Sequence, residues 1–489
     1  MSPGRGAALA AASGVLLAAS LSGPPRGLLA LVALAPLLLA LDRAPARAAA
    51  LRGALALGLA ALLAVRFAWA PLRSQLSPPL ALLVLLVLAS GQALGGALVG
   101  ALTALGRERL SFPVAFLAAH LLVEQALPTP LPWSLALAVT DHPALVQAAA
   151  LGGAPLVAVL VAGASLAAAW PAARALGRRW PARWALAPLG GLALAALLGS
   201  ARLRALDAAG GEVLAVGLVH GDVALTGRPP VEGLAELRRA HDEAERGGAQ
   251  LVVWPETALP FALRPEALDD DLRAQLDPPP RVPTALGALL EGPGGATNSA
   301  LLIEGGRVVG RHDKRVLLPF GEYVPLADRL PWLDALSPLS PRAPALPGGD
   351  GPTGLAGRRV ACQICYEGVV SGVSADEVHR QGASLVLDLA NDAWFDGTDE
   401  PALHLAASRL RAVELGRPWL RATNRGVSAV IDPAGRLLAA ATGGPTRAVQ
   451  ARLRLVAWPT PFERSGPLGA WFALGLVLFA LRARTTTPL

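Results

Sequence analysis

Several residue types are scarce in this chain of 489 residues. Lys314 is the only lysine, and arginines make up the rest of the 43 Lys and Arg residues. A CxxC zinc site needs a second pair of ligands, and no cysteine exists beyond the two of this motif. The rare side chains cluster between residues 298 and 424, which indicates that this segment carries the chemistry. They are Lys314, Tyr323, Tyr366, Cys362, Cys365, Asn298, Asn391 and Asn424.

Charged residues are also few, at 16%, while 53% of the residues are hydrophobic and the mean hydropathy is +0.47. These values exclude an ordinary soluble domain and indicate a membrane protein. A hydrocarbon core of about 30 Å requires roughly 20 apolar residues per helical crossing. Eight stretches meet or approach this length, near residues 7–22, 26–41, 49–70, 79–104, 112–128, 144–170, 184–200 and 466–482.

The arginines predict the orientation of these helices, because cytoplasmic loops are enriched in basic residues. With the N-terminus inside, the inner loops hold most of the arginines, and the outer loop over 129–147 holds none. We therefore expect seven helices over residues 1–204, an extracytoplasmic domain over 205–463, and an eighth helix with a cytoplasmic tail over 464–489. This topology accounts for much of the net charge of +7, so we assign no nucleic-acid partner.

The predicted extracytoplasmic segment has the pattern of a layered α/β domain. Short runs rich in Val, Ile and Leu, bounded by turn residues, predict strands. A 3.6-residue apolar rhythm predicts helices over residues 231–246 and 401–415. The predicted strands cover residues 213–219, 250–254, 299–303, 359–364, 384–389, 419–423, 427–431 and 449–455.

Three reactive side chains follow or end strands of this domain, namely Glu256, Lys314 and Cys365. Strand ends of an open α/β sheet are where pockets form, so these three can converge. A thiol is a strong nucleophile only as the thiolate, which needs a base or a positive charge nearby. Glu256 is suited to take the proton, and Lys314 to favour the thiolate and hold an oxyanion. The combination indicates acyl transfer through a thioester.

Each of these residues also has a purely structural interpretation. Glu256 fits a surface turn, Lys314 a solvated basic loop, and Cys365 a small buried apolar position. Cys362 and Cys365 form a CxxC motif, so a thioredoxin-like redox pair remains an alternative. A disulfide between them is disfavoured, since a three-residue spacing along a strand points the side chains to opposite faces.

The order Glu, Lys, Cys resembles the nitrilase superfamily, and within it the chain is similar to the apolipoprotein N-acyltransferase family. The string Pro-Phe-Gly-Glu-Tyr-Val-Pro at residues 319–325 is more specific than any single cysteine. Eight predicted helices with the soluble domain between the last two also agree with that family's plan. Further segments that carry the resemblance are residues 254–260, 298–302, 314–318, 365–367, 391–395 and 411–424.

The resemblance implies an αββα sandwich on a bundle of about eight transmembrane helices, in a bacterial inner membrane. Glu256 would be the general base, Lys314 the stabiliser of the tetrahedral intermediate, and Cys365 the nucleophile. An acyl chain would pass from a membrane phospholipid to Cys365, and then to the α-amino group of the S-diacylglyceryl cysteine of an apolipoprotein. Neither a cofactor nor a metal ion is assigned. Supporting residues would be Glu322, Glu367 and Tyr366. Candidates to line the substrate path are Trp394, Phe395, Tyr323 and Asn298, with Trp133 and Trp332 as further aromatic candidates.

Two rival functions stay open at the level of sequence. A membrane-tethered nitrilase-type amidase would use the same three residues with water as the acceptor. A transporter or receptor would bind a ligand without transforming it. The helices argue against this function, because they lack the paired, broken segments of secondary transporters. The segment 220–225 resembles the corresponding segment of that family only loosely, and the tryptophan that often follows this segment in the family is missing here. The segment 396–400 is more acidic than expected.

Overall fold

A computed structural model of the chain describes residues 2–21, 26–127, 134–223, 230–292, 295–319, 321–323, 329–330, 354–468, 470–471 and 475. The chain divides into two compact units. The first comprises Met1–Trp69, Ser77–Ala205 and Thr460–Leu489, and the second comprises Ala70–Leu76 and Leu206–Pro459.

Ten α-helices precede the first strand among the described residues. They are α1 (Pro3–Leu21), α2 (Ala30–Ala33), α3 (Ala35–Leu41), α4 (Ala46–Ala64), α5 (Trp69–Gln75), α6 (Pro78–Gly106), α7 (Phe112–Ala126), α8 (Pro143–Val146), α9 (Ala149–Ala175) and α10 (Arg183–Ala208).

Five helical segments in the described part of the chain are long and apolar enough to cross a membrane: Pro3–Leu21, Ala46–Ala68, Pro78–Gly106, Ala149–Ala175 and Arg183–Ala208. Two further predicted helices are shorter, covering Gly27–Leu41 and Phe112–Ala126. At 1.5 Å per residue each spans about 22 Å, less than the hydrocarbon thickness. The eighth predicted helix, near residues 466–482, lies largely outside the described residues.

Small and apolar residues explain how the long helices pack and what surrounds them. A Cβ on Gly53 of α4 would collide with the backbone of Gly96 on α6, so these two helices touch at their main chains. On α10, large apolar side chains such as Leu194 and Leu197 are more than half exposed. Such a continuous apolar surface suits contact with lipid rather than water.

The second unit contains twelve strands among its described residues. They are β1 (Glu212–His220), β2 (Leu251–Val253), β3 (Thr284–Gly292), β4 (Gly295–Glu304), β5 (Arg307–Asp313), β6 (Gly354–Leu355), β7 (Arg358–Ile364), β8 (Leu385–Asn391), β9 (Trp419–Asn424), β10 (Val427–Ile431), β11 (Leu437–Thr442) and β12 (Arg447–Leu455). Four helices accompany them, and a fifth follows in the first unit: α11 (Pro230–Arg246), α12 (Leu268–Gln275), α13 (Ser371–Gln381), α14 (Glu400–Leu415) and α15 (Pro461–Ser465).

The strands form two six-stranded sheets that pack face to face. Their orders are β12-β1-β2-β3-β4-β5 and β11-β10-β9-β8-β7-β6. One apolar core lies between the sheets, and a second lies between the first sheet and its helices α11 and α12. Helices α13 and α14 pack on the other sheet. The αββα sandwich is therefore confirmed, and the central strands are buried on both faces.

All eight predicted strands and both predicted helices of this unit are present. Sequence reasoning missed β3, β5, β6 and β11, together with α12 and α13. Strand β3 reads Thr-Ala-Leu-Gly-Ala-Leu-Leu-Glu-Gly, a composition of helix formers and glycine that forms a strand only because both neighbours pair with it.

Candidate active site

Three strand ends supply the three residues singled out from the sequence. Glu256 follows β2 by three residues, Lys314 follows β5 directly, and Cys365 follows β7 directly. The first two strands belong to one sheet and the third to the other. Parallel pairing of β2 with β1 and β3, and of β7 with β8, aligns their carboxyl ends. This alignment brings side chains that are distant in sequence to one edge of the sandwich.

Glu256 is almost fully buried, at 7% exposure. The side-chain amide of Asn298 donates a hydrogen bond of 2.6 Å to its Oε1 atom. Gly287 makes room for this turn, because a Cβ there would lie 2.6 Å from the Cα of Glu256. Burial raises the pKa of the Glu256 carboxyl above its ordinary value, although Lys314 opposes the rise. A buried carboxylate with a raised pKa is a better base than an exposed one.

Lys314 is almost fully buried, at 1% exposure. Its Nζ atom donates to Glu322 Oε1 at 2.7 Å and to Glu256 Oε1 at 3.4 Å. Burial disfavours the ammonium, but Glu256 and Glu322 outweigh burial and raise the pKa of Lys314. Lys314 is therefore a fixed cation between two carboxylates. Its backbone N–H donates to the carbonyl of Asn298 at 2.8 Å, which holds the residue against β4.

Cys365 has a backbone φ of +53°, in the left-handed region that residues with a Cβ seldom occupy. This conformation turns the chain sharply from β7 into a 3₁₀ turn over Cys365–Gly368. Burial raises the pKa of the Cys365 thiol well above its ordinary value, Glu256 adds to the rise, and Lys314 opposes it. The resting group is thus a thiol and needs a base, since the favourable effect of Lys314 does not prevail. Cys362 lies fully buried on β7, and neither cysteine forms a disulfide.

Glu367 contacts backbone N–H groups and His312, whereas Glu256 and Glu322 contact Lys314. Its Oε1 atom accepts from the backbone N–H of Arg315 at 2.7 Å, and its Oε2 atom accepts from that of Ile364 at 2.9 Å. His312 Nε2 lies 3.0 Å from the same Oε2 atom, and both side chains are fully buried. Burial raises the pKa of Glu367, but the bonds from His312 and the backbone prevail and lower it. Glu367 therefore joins the end of β7 to the segment after Lys314.

The remaining predicted site residues of the same unit differ in burial. Tyr366 is buried, while Tyr323 is 42% exposed. Burial, together with Tyr323, raises the pKa of Tyr366 to about 12. Trp394 and Phe395 form a half-buried 3₁₀ turn after β8. Two tryptophans also considered for the substrate path, Trp133 and Trp332, lie outside the described residues.

A buried charged network behind Cys365 was not recognised from the sequence. Arg421, on β9, donates to Asp388 Oδ2 at 3.0 Å and to Asp392 Oδ2 at 2.9 Å. His404, on α14, places Nδ1 3.1 Å from Asp392 Oδ1 and Nε2 3.2 Å from the carbonyl oxygen of Cys365. An arginine in the middle of a strand of otherwise uncharged residues was the available signal, because such a charge needs buried partners.

Asp392, Glu400 and His404 offer ligand atoms within 4.8 Å of one another, which is compact enough for a metal ion. Two observations disfavour a cation there. Arg421 already donates to both oxygens of Asp392, and both ring nitrogens of His404 face hydrogen-bond acceptors. The donor set is therefore committed to contacts within the protein.

Comparison with known proteins agrees with this fold. The carbon-nitrogen hydrolase model matches residues 223–458, and the model of the apolipoprotein N-acyltransferase N-terminal domain matches residues 13–167. The first match covers the unit in which Glu256, Lys314 and Cys365 follow their strands. The second covers most of the apolar helices.

Curated relatives named apolipoprotein N-acyltransferase come from several bacteria. The protein of Nitrosomonas europaea is 32% identical over 55% of this chain and 55% of its own length. Those of Ralstonia nicotianae and Methylococcus capsulatus are 35% and 31% identical, over 48% and 62% of this chain and 46% and 65% of their own lengths. The chain thus matches about half of the length of most of these relatives. A solved amidase from Nesterenkonia sp. is 20% identical, with a TM-score of 0.39, over 54% of this chain and 97% of that one.

The fold and the two matched models define the class of protein. It combines a carbon-nitrogen hydrolase domain with apolar helices that are long enough to cross a membrane. The chain belongs to the nitrilase superfamily and, within it, to the apolipoprotein N-acyltransferase family.

Proposed function

We propose that this chain transfers an acyl chain from a membrane phospholipid, through a thioester on Cys365, to the α-amino group of the S-diacylglyceryl cysteine that begins an apolipoprotein. The observation that carries the proposal is the meeting of Glu256 and Lys314 at 3.4 Å, with Cys365 close enough for both to influence its pKa. The match of the apolar N-terminal helices to the acyltransferase domain favours lipid substrates over small soluble amides.

In the first half of the proposed reaction, Glu256 takes the proton of the Cys365 thiol as the sulfur attacks the ester carbonyl of the phospholipid. The raised pKa of Glu256 suits a base for a thiol that is itself protonated at neutral pH. The C–O bond then breaks, and protonated Glu256 returns its proton to the departing alkoxide. A lysophospholipid leaves, and the acyl group stays on Cys365 as a thioester.

Lys314 stabilises the oxyanion of the tetrahedral intermediate in this scheme. Its ammonium keeps its proton throughout, because Glu256 and Glu322 raise its pKa. A donor fixed in place before the reaction loses no free energy to reorganisation when the charge develops. Glu322 holds the amine at 2.7 Å, and its second oxygen accepts from the backbone N–H of Leu318 at 2.7 Å. Glu322 therefore orients Lys314, and Glu367 positions the segment that follows it.

In the second half, the α-amino group of the acceptor attacks the thioester carbonyl. Glu256 takes the amine proton, the C–S bond breaks, and the proton returns to the sulfur of Cys365. The products are an amide and the free thiol, so one site acts twice in a ping-pong sequence. Both substrates are anchored in lipid, which restricts their search to the plane of the membrane.

This scheme assigns the parts of the chain as follows. Residues 205–463 form the catalytic domain, and residues 1–204 and 464–489 anchor it in a bacterial inner membrane. The arginine distribution supports an orientation with both termini in the cytoplasm and the catalytic domain outside it. Trp394, Phe395 and Tyr323 line the substrate path, while Asn298 holds the base.

Mass spectrometry of the purified full-length protein tests the proposal. Incubation with phospholipid in mixed micelles should add one fatty acyl group to the peptide that contains Cys365. A diacylglyceryl peptide should then remove it and become N-acylated. Cys365→Ala should show neither step, and the matched variant Cys362→Ala should show both.

Two results would contradict the proposal. Rapid loss of the acyl group to water without any acceptor would favour the hydrolase alternative, in which a small amide is the substrate. Acylation of Cys365→Ala would remove Cys365 from the mechanism.

A further inference from the structure

The backbone of Cys365 is held from behind by a histidine. A φ of +53° at a residue with a Cβ is strained, so the surrounding structure must fix it. The carbonyl oxygen of Cys365 lies 3.2 Å from Nε2 of His404, on helix α14, 39 residues further along the chain. His404 is itself buried, at 4% exposure. This contact supplies a restraint on the strained turn from outside its own strand.

Both ring nitrogens of His404 face groups that only accept hydrogen bonds. Nε2 faces the carbonyl of Cys365, and Nδ1 lies 3.1 Å from a carboxylate oxygen of Asp392. Arg421 donates to both oxygens of Asp392, at 3.2 and 2.9 Å, which keeps this carboxylate ionised. A neutral imidazole donates from one nitrogen only, whereas an imidazolium donates from both. Only the imidazolium makes both contacts as hydrogen bonds.

The charges around His404 favour the same protonation state. The ionisable groups that face it are Glu400 on its own helix, Asp392 after β8, Arg421 on β9 and Cys365 after β7. Burial and Arg421 oppose the proton, but Asp392 and Glu400 prevail and raise the pKa of His404. Burial and Asp392 raise the pKa of Glu400 to about 7, so it is largely ionised where a thiol titrates.

We propose that His404 remains an imidazolium and acts as a positioning residue, which clamps the carbonyl of Cys365 and places a positive charge behind the nucleophile. The charge offsets that of Asp392, which raises the pKa of the Cys365 thiol. It thereby lowers the cost of forming the thiolate while Glu256 removes the proton. This inference rests on Cys365 being the nucleophile of the proposed function.

Ionisation of the Cys365 thiol can be measured directly, because the chain has only two cysteines. In a Cys362→Ala background of the full-length protein, Cys365 is the sole thiol, and iodoacetamide labelling measured by intact mass reports on it alone. The labelling rate against pH gives the midpoint of thiol ionisation. His404→Gln keeps a polar side chain but removes the charge. We expect its midpoint to rise, with about tenfold slower labelling at neutral pH.

Glu400→Gln provides an independent test that leaves the imidazole ring in place. Because Glu400 helps to raise the pKa of His404, its neutralisation weakens the imidazolium, so the midpoint should move up, in the same direction as in His404→Gln but by less. His379→Gln, on the exposed face of α13, is the matched control and should leave the midpoint unchanged.

An unchanged midpoint in folded His404→Gln would overturn the proposal, because a merely structural contact would not move it. If that variant does not fold, Glu400→Gln decides, and an unchanged or lower midpoint there overturns the proposal too. Labelling needs no acyl donor. Failure of acyl transfer would therefore contradict the proposed function without deciding this inference.

Discussion

The side-chain amide of Asn298 donates a hydrogen bond of 2.6 Å to the carboxylate of Glu256. Asn298 lies on β4 and Glu256 follows β2 of the same sheet. The bond fixes the orientation of a buried acid whose other side-chain hydrogen-bond partner among the described residues is Lys314. The same contact therefore affects both the orientation and the pKa of Glu256.

Asn298→Leu tests this contact. The Asn298 bond lowers the pKa of Glu256 against the effect of burial, so its loss should raise that pKa further. The acid limb of the activity profile should then shift to higher pH. Loss of a hydrogen bond to a charged group costs about 1.5–3 kcal/mol, or roughly 10- to 100-fold in rate. Initial rates of acyl transfer across pH provide the measurement. Thr297→Val is the neighbouring control, and a profile of Asn298→Leu that matches wild type would refute the role given to the amide.

Lys314→Met removes the ammonium and keeps an unbranched side chain. Loss of one preorganised oxyanion donor costs about 100- to 1000-fold in kcat. Because Lys314 opposes the rise in the pKa of the Cys365 thiol, that pKa should also increase. Single-turnover acylation and iodoacetamide labelling separate the two effects. Arg307→Met, exposed at the start of β5, should behave as wild type. Retention of more than about a tenth of the wild-type acylation rate would contradict the assignment.

Gly287→Ala should reduce activity at a distance from the reacting atoms. The added Cβ would lie 2.6 Å from the Cα of Glu256 and from the carbonyl oxygen of Pro255, so the turn carrying the base must move. A misplacement of about 1 Å costs on the order of 100-fold in rate. Steady-state rates give the measurement. Gly372→Ala is the control, since a Cβ there meets nothing within 4 Å. Equal rates for the two variants would show that the turn tolerates displacement.

Glu367→Gln should destabilise the protein, because it removes the charge from a fully buried carboxylate that contacts His312 and accepts hydrogen bonds from backbone N–H groups. Such a loss costs about 3 kcal/mol. The pKa of Glu367 is lowered in the folded state, so its contribution is present above the unfolded pKa and disappears as the pH falls through the folded value. The difference between wild type and variant should therefore shrink in acid. Thermal unfolding in detergent at several pH values measures it, with exposed Glu291→Gln as the control. A difference independent of pH would argue against a role for the charge.

Much of this molecule could be predicted from the sequence. Long apolar stretches mark the membrane helices, because hydropathy is a local property. Alternation of Val, Ile and Leu runs with turns marks eight of the strands. Strand β11, Leu-Leu-Ala-Ala-Ala-Thr, escaped because its residues favour helix and most of its side chains remain accessible. It is a strand because β10 pairs with it along its length.

The side chains that can do chemistry here are recognisable in the sequence, since a lone lysine and a few rare residues stand out in a chain of Ala, Leu, Gly and Arg. Their partners depend on the tertiary structure. Lys314 reaches Glu256 across 58 residues, and His404 reaches Cys365 across 39. Local patterns predict helices and strands but not which strand ends meet. Sheet pairing and burial fix those distances, and with them the charge that each group carries.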